Sequence, residues 1–174
     1  CILKIMAYVP LFIVIYFILF FLSAVLWPTI LVKKQTGLNP ITIMQTPGPQ
    51  RVIGGYFRIA PPLTAFVVII YCFFPTYYSF LAPFWILDYV AVQWFGIVLL
   101  MVSLIWIICA QYQMGRAWRV GIDTQHFTPL VQTGVFKLSR NPVFLGIKSH
   151  HIGFFLVLPN AFTLVLLLLD TALI

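Results

Sequence analysis

The chain has 174 residues, 63% of them hydrophobic and 7% charged, with a formal net charge of +7. A water-soluble domain carries roughly 25% charged residues, so this composition excludes a soluble globular protein and assigns the apolar surface to lipid. The apolar runs are continuous rather than alternating, which excludes a β-barrel and leaves helices, whose backbone groups are satisfied internally in hydrocarbon. The expected fold is therefore all-α: a multi-pass transmembrane helical bundle of about five helices, one structural domain, with the last two helices forming a hairpin.

The first expected span covers residues 7–32 and is interrupted near its end by Trp27-Pro28. It is too long for the core of a signal peptide, and no small-residue cleavage site follows it. The chain opens on Cys1, so residues are expected to precede it. Residues 33–58 are rich in glycine, proline and glutamine and read as a loop. A second span is expected over residues 59–80, with Pro61-Pro62 in its first turn, where proline is tolerated, and a kink at Pro75. A link containing Pro83 and Asp88 leads to a third span over residues 89–112. Residues 113–142 form the longest polar stretch, and residues 143–158 and 161–174 are apolar arms separated by a turn at Pro159-Asn160. The chain thus divides into residues 1–88, with the first spans and loop, and residues 89–174, with the polar segment and final hairpin.

Charge gives the orientation. Lys33, Lys34, Arg51 and Arg58 lie in the first loop and Arg116, Arg119, Lys137 and Arg140 in the third, whereas the Pro83 link and the Pro159-Asn160 turn carry no Lys or Arg. By the positive-inside rule both basic loops face the cytoplasm, with the N-terminus outside and Lys148 snorkelling to the cytoplasmic face. Basic residues confined to short segments between apolar runs fit anionic lipid, and nucleic acid is not an expected partner.

Metal chemistry is not expected either. Cys1, Cys72 and Cys109 are isolated and lack ligand spacing. His150 and His151 are adjacent, so on a helix they point about 100° apart and do not chelate one ion. At least one of them is expected to face the bundle, and so is Asp170, because intramembrane ionisable residues usually turn inward. No Gly-x-Gly-x-x-Gly follows a strand, so no Rossmann cofactor site is available.

The polar stretch carries two dense runs: Gly115-Arg116-Ala117-Trp118-Arg119-Val120-Gly121-Ile122-Asp123, and Leu130-Val131 followed by Gly134, Phe136, Arg140-Asn141-Pro142, Phe144 and Gly146. Together they resemble the isoprenylcysteine carboxyl methyltransferase-like family of integral membrane methyltransferases, in its bacterial-type branch. The family pattern is Leu-Val, a glycine, an aromatic, then Arg, His or Asn, Pro, a second aromatic and a glycine, and every position is filled here. The resemblance covers residues 90–174. It implies S-adenosylmethionine as cofactor, a bacterial inner-membrane protein with its active site facing the cytoplasm, and methyl transfer to a lipophilic, membrane-borne acceptor such as the carboxylate of an isoprenylcysteine. It also implies cofactor binding by Leu130, Val131, Gly134, Phe136, Arg140, Asn141, Phe144 and Gly146.

The chemistry of these residues stands beside the resemblance. Gly134 and Gly146 permit close backbone approach, Arg140 can pair with a carboxylate, and Asn141 can donate and accept. Phe136 and Phe144 can flank an adenine or a sulfonium. The segment offers only Asp123, His126 or the histidine pair as a general base, so an acceptor that is already anionic is expected, clamped by Arg116 and Arg119 as the catalytic residues. Two simpler roles remain open: Arg116 and Arg119 beside Trp118 as lipid-phosphate anchors, and Arg140-Asn141-Pro142 as a helix start. The family also carries an Arg-x-Glu-Glu motif on the cytoplasmic extension of its last helix. This chain has no glutamate and only about 14 residues after the turn, so the motif is expected to lie beyond the sequence given. The competing functions are a nicotinamide-dependent membrane reductase of sterol-reductase-like type and a non-enzymatic membrane protein.

Overall fold

In the computed structural model, which describes residues 2–38, 40, 50–118 and 131–173, every long apolar run is helical. α1 (Ile2–Phe20), a π-helical segment (Phe21–Leu26) and α2 (Trp27–Thr36) form one continuous rod. It is followed by α3 (Gln50–Phe73), α4 (Val90–Met114), α5 (Pro142–Val157) and α6 (Ala161–Leu173). Three segments, Tyr8–Thr36, Val52–Phe73 and Val90–Ala117, are long and apolar enough to cross a membrane, and α5 and α6 are shorter apolar helices. The architecture is the expected all-α bundle with a C-terminal helical hairpin.

The first loop is shorter than expected. α2 continues through Lys33 and Lys34 to Thr36, where Gly37 caps it at φ 72, and α3 already starts at Gln50. Arg58 therefore sits on a helix, and Pro61 and Pro62 lie in the interior of α3 rather than in its first turn. Packing overrides the local glycine and proline signal: Tyr56 and Ala60 of this stretch are buried against Leu166 of α6. Pro75 does not kink a span. α3 stops at Phe73, and Pro75 opens a 3₁₀ turn that runs to Leu81.

The π segment follows from Pro28. In an α-helix the carbonyl of Ala24 would accept the N–H of residue 28, which proline lacks. The chain widens instead, and the Trp27 N–H reaches the Leu22 carbonyl five residues back. Gln111 of α4 then donates its side-chain N–H to the Ala24 carbonyl at 2.8 Å, in a buried setting.

Among the described residues the most extensive helix packing joins α4 to α5, and glycine makes the close approach possible. A Cβ on Gly96 would stand 2.9 Å from the Gly153 carbonyl, and one on Gly153 would stand 3.0 Å from the Gly96 carbonyl. Small residues let backbones approach where water supplies no hydrophobic drive between helices. Around this contact the core gathers Ile13 and Tyr16 of α1, Val67 of α3, Leu100 and Ile107 of α4, and Phe154 of α5. Many other large apolar side chains point outward, among them Leu11, Ile18, Phe66, Phe95, Ile105 and Leu168, as lipid contact requires.

The end of the bundle at the α5–α6 turn is stitched by backbone bonds. Phe84 donates its N–H to the Pro159 carbonyl at 2.8 Å, and Ala161 donates to the Ala82 carbonyl at 3.2 Å. Asn160, fully buried, starts α6 with a reciprocal cap: its Oδ1 accepts the Thr163 N–H at 3.0 Å, and Thr163 Oγ1 accepts the Asn160 N–H at 3.2 Å.

Candidate functional site

At the opposite end α4 runs out at Met114, and Gly115, at φ 50, turns the chain. The turn Gly115–Ala117 presents an exposed Arg116 beside α2, while Trp118 is buried. The chain is described again from Val131, which is half-buried, and a 3₁₀ turn over Gly134–Lys137 packs against the end of α4. Gly134 is favoured by its backbone, at φ 60, and a side chain there would displace Gln113, which a Cβ would overlap. The space is used by Gln113 itself, whose Oε1 accepts the Val135 N–H at 2.9 Å. Phe136 in this turn is half-buried.

The turn delivers the chain to the start of α5. Asn141 occupies the N-cap position: its carbonyl accepts the Leu145 N–H at 3.1 Å, and Pro142 follows as the first helical residue. The Asn141 side chain, however, makes no hydrogen bond to the α5 amides. Its own N–H donates to Ser139 Oγ at 3.2 Å. Trp106 of α4 donates its indole N–H to the Pro142 carbonyl at 2.8 Å and pins this start in place. Arg140 and Asn141 are both exposed. The geometry is an N-terminal helix turn carrying amides without a side-chain cap, beside an arginine and an amide side chain, which is an arrangement suited to an anion.

Phe144 is exposed on the third residue of α5 and stacks on Phe57 of α3, with ring centroids 6.2 Å apart and planes at 21°. Gly146 faces the other way. It is buried against α4, and a Cβ there would stand 2.5 Å from Ile107 Cγ1 and 3.1 Å from Trp106 Cδ1. Val131, Gly134, Phe136, Arg140 and Asn141 thus share one loop between α4 and α5. Phe144 borders it, Gly146 serves the α4 contact, and Arg116 belongs to a separate turn against α2. Arg119 and Leu130, with Asp123 and His126, lie outside the described residues.

Two polar clusters inside the bundle add residues that the motifs do not contain. The histidines diverge as adjacent helical residues must. His150 Nδ1 lies 2.8 Å from the Tyr16 hydroxyl, which also reaches the Leu100 carbonyl at 3.1 Å. His151 turns to α3 and α6: its Nδ1 lies 3.1 Å from the Ile147 carbonyl and 3.5 Å from Asp170 Oδ1. The Tyr56 hydroxyl stands 3.5 Å from His151 Nε2 and 3.4 Å from Asp170 Oδ1. Both histidines and Asp170 are buried, so the inward orientation holds for all three. Asp170 and His151 carried a signal, being ionisable residues in apolar runs. Tyr56 carried none, because it sat in a stretch that reads as loop. Among the described residues no three His, Cys, Asp or Glu side chains gather in a metal-binding group. No family model, curated protein or solved structure matches the chain.

Proposed function

We propose that this chain is an integral membrane methyltransferase that uses S-adenosylmethionine and methylates a lipophilic acceptor arriving from the bilayer. The observation that carries the reading is the start of α5, where Asn141 holds the cap position with its backbone but leaves the first-turn amides without its side chain. The residues present fit such a cofactor. Its carboxylate suits those amides and the Arg140 guanidinium, which can bond it in bidentate fashion. Its adenine or cationic sulfonium suits the exposed ring of Phe144, already paired with Phe57. Gly134 and Gln113 fix the loop that would border it.

When bound, S-adenosylmethionine supplies an electrophilic methyl group. What this chain contributes is orientation of donor and acceptor and exclusion of water from between them. Arg116 and Arg119 are assigned to the acceptor side, in line with their place in the Gly-Arg-x-Trp-Arg run. The topology that goes with this reading has five crossings, with the basic end of the bundle in the cytosol of a bacterial cell and the Pro159-Asn160 turn outside. It is supported by the distribution of charge: exposed Lys33, Lys34, Arg116, Lys137 and Arg140 lie at one end, with Lys4 at the far end of the first rod as the exception.

The test is a calorimetric titration of the purified protein in detergent with S-adenosylhomocysteine and, separately, with a reduced nicotinamide cofactor. Saturable binding of the first alone is expected. Binding of the nicotinamide alone would transfer the chain to the reductases, and binding of neither would remove the enzyme reading.

A further inference from the structure

The candidate cofactor loop packs on the last residues of α4. At the other end of that helix, between α4 and α1, lies a cavity of about 230 Å³ lined by Tyr8, Val9, Phe12, Gln93, Trp94 and Ile97. About two turns deeper the two helices are joined, where the Tyr16 hydroxyl lies 3.1 Å from the Leu100 carbonyl. Val9 is buried, whereas Tyr8 and Trp94 are exposed, so the cavity opens sideways onto the surface that meets lipid. Its volume falls below the roughly 300–1,000 Å³ of sites that enclose a drug-sized molecule. It suits one end of a longer molecule whose remainder stays in the bilayer.

Gln93 is the one amide side chain in this wall, and it is 6% exposed. Its Nε2–H donates to Asp88 Oδ1 at 2.7 Å. A carboxylate only accepts, so this bond fixes which corner of the amide is nitrogen and which is oxygen. The oxygen, Oε1, is buried with no partner among the described residues. A buried acceptor without a donor is costly. A bound water is a poor remedy, because it needs two to four polar partners and the rest of the wall is aliphatic or aromatic. The donor is better supplied by a molecule that is otherwise apolar.

Charge narrows the choice. An ammonium carries three donors and would lose its hydration against an apolar wall, where Gln93 offers one acceptor. A carboxylate has no hydrogen to give and would approach Asp88. A neutral hydroxyl brings one hydrogen at the lowest desolvation cost. The terminal torsion of a glutamine is broad, so the amide can turn its enclosed oxygen to meet that hydroxyl.

We propose that the cavity between α1 and α4 is a binding site for a neutral lipid alcohol. Its hydroxyl donates to Gln93 Oε1, and its chain packs on Phe12 and Ile97 before passing into the bilayer beside Trp94. The site stands apart from the proposed cofactor loop and does not depend on the methyltransferase reading.

The test follows thermal unfolding of the protein in nanodiscs as one of four probes with the same chain is added at rising mole fraction: hexadecanol, fluorohexadecane, hexadecylamine or hexadecanoate. A ligand that binds only the folded protein stabilises it by mass action, so hexadecanol should raise the unfolding temperature saturably. Fluorohexadecane, with a fluorine of similar size and no hydrogen to donate, should bind about tenfold more weakly, the worth of one hydrogen bond. The amine and the carboxylate should bind no better than the fluoride. In Gln93→Leu the alcohol and the fluoride should become equal, and in Ile97→Phe, which fills the cavity, neither should stabilise. Equal binding of alcohol and fluoride by the wild type would overturn the proposal, and that comparison needs no variant to fold. Tighter binding of the amine or carboxylate would give the cavity to a charged head group. An alcohol preference surviving in Gln93→Leu, or undiminished binding in Ile97→Phe, would move the alcohol elsewhere. Self-association lost in Ile97→Phe, with no response to hexadecanol, would make the cavity a contact between two copies of the chain. Each of these outcomes also overturns the proposal.

Discussion

The Gln111 side chain replaces the hydrogen-bond donor that Pro28 removes, bonding the Ala24 carbonyl at 2.8 Å across the interface between α4 and the first rod. A buried carbonyl left without a partner costs roughly 1–3 kcal/mol, although measured intramembrane bonds average nearer 0.6 kcal/mol. Gln111→Leu is therefore expected to destabilise the bundle by about 1 kcal/mol. Pro28→Ala restores the missing N–H, so Gln111→Leu should cost less in that background. A double-mutant cycle of unfolding in detergent checks this, and purely additive effects would mean that the two residues do not serve one carbonyl.

That pairing shows where sequence reading stops. Trp27-Pro28 is visible as an interruption of a helix, but the remedy lies more than 80 residues away in a glutamine that looks like the polar end of a span. The same limit applies at the candidate site. The loop from Gly134 to Asn141 was legible, because fixed glycines, an Arg-Asn-Pro triplet and flanking aromatics are local features. Tyr56 was not legible: its surroundings, with Gly54-Gly55 and two prolines soon after, have loop chemistry, and only packing against α6 makes them helical. The hairpin was legible as two apolar arms and a turn, whereas the bonds from that turn to the Pro83 link depend on a distant segment.

Gly146 offers a way to separate packing from cofactor binding. A Cβ there would press on Ile107 at 2.5 Å, and overpacking of this kind typically costs about 1–3 kcal/mol. Gly146→Ala should lower thermal stability by that order. Because the crowded atom is the side chain of Ile107, whose own truncation empties core volume at about 2–5 kcal/mol, Gly146→Ala should cost less in an Ile107→Ala background than in wild type, which a double-mutant cycle reads. Affinity for S-adenosylhomocysteine, measured on folded protein, is expected to stay unchanged in Gly146→Ala and in the double variant. A tenfold loss of affinity in the folded double variant would give Gly146 a role at the cofactor.

Asn160 is a stability residue at the end of the bundle remote from the proposed cofactor loop. It caps α6 and donates Nδ2–H to the Leu158 carbonyl at 3.1 Å and to the Tyr78 hydroxyl at 3.3 Å. Asn160→Ala removes an N-cap worth about 1 kcal/mol and leaves buried groups unpaired, so a total loss of about 2 kcal/mol is expected. Asn160→Asp preserves the cap acceptor but loses the Nδ2 donors and buries a charge, and it should not rescue the loss. Thermal unfolding of both variants is the measurement, and an Asp variant as stable as wild type would contradict the buried network.

Asn141 and Arg140 carry the decisive test of the site. The Asn141 side chain makes no bond to the α5 amides, so Asn141→Asp should leave stability near wild type or raise it slightly through the positive end of the helix. If Asn141 donates its amide hydrogen to the bound cofactor, the same change removes that donor and sets a negative charge against an acceptor. The cost is on the order of 1–3 kcal/mol, a loss of roughly ten- to a hundredfold in affinity for S-adenosylhomocysteine. Arg140→Lys keeps the charge but loses the planar fork that bonds a carboxylate in bidentate fashion, so it should weaken binding while the protein stays folded. Calorimetric titration and thermal unfolding are run together on both variants. Unchanged affinity in both, with stability preserved, would reduce Arg140-Asn141-Pro142 to the start of a helix and move the cofactor elsewhere.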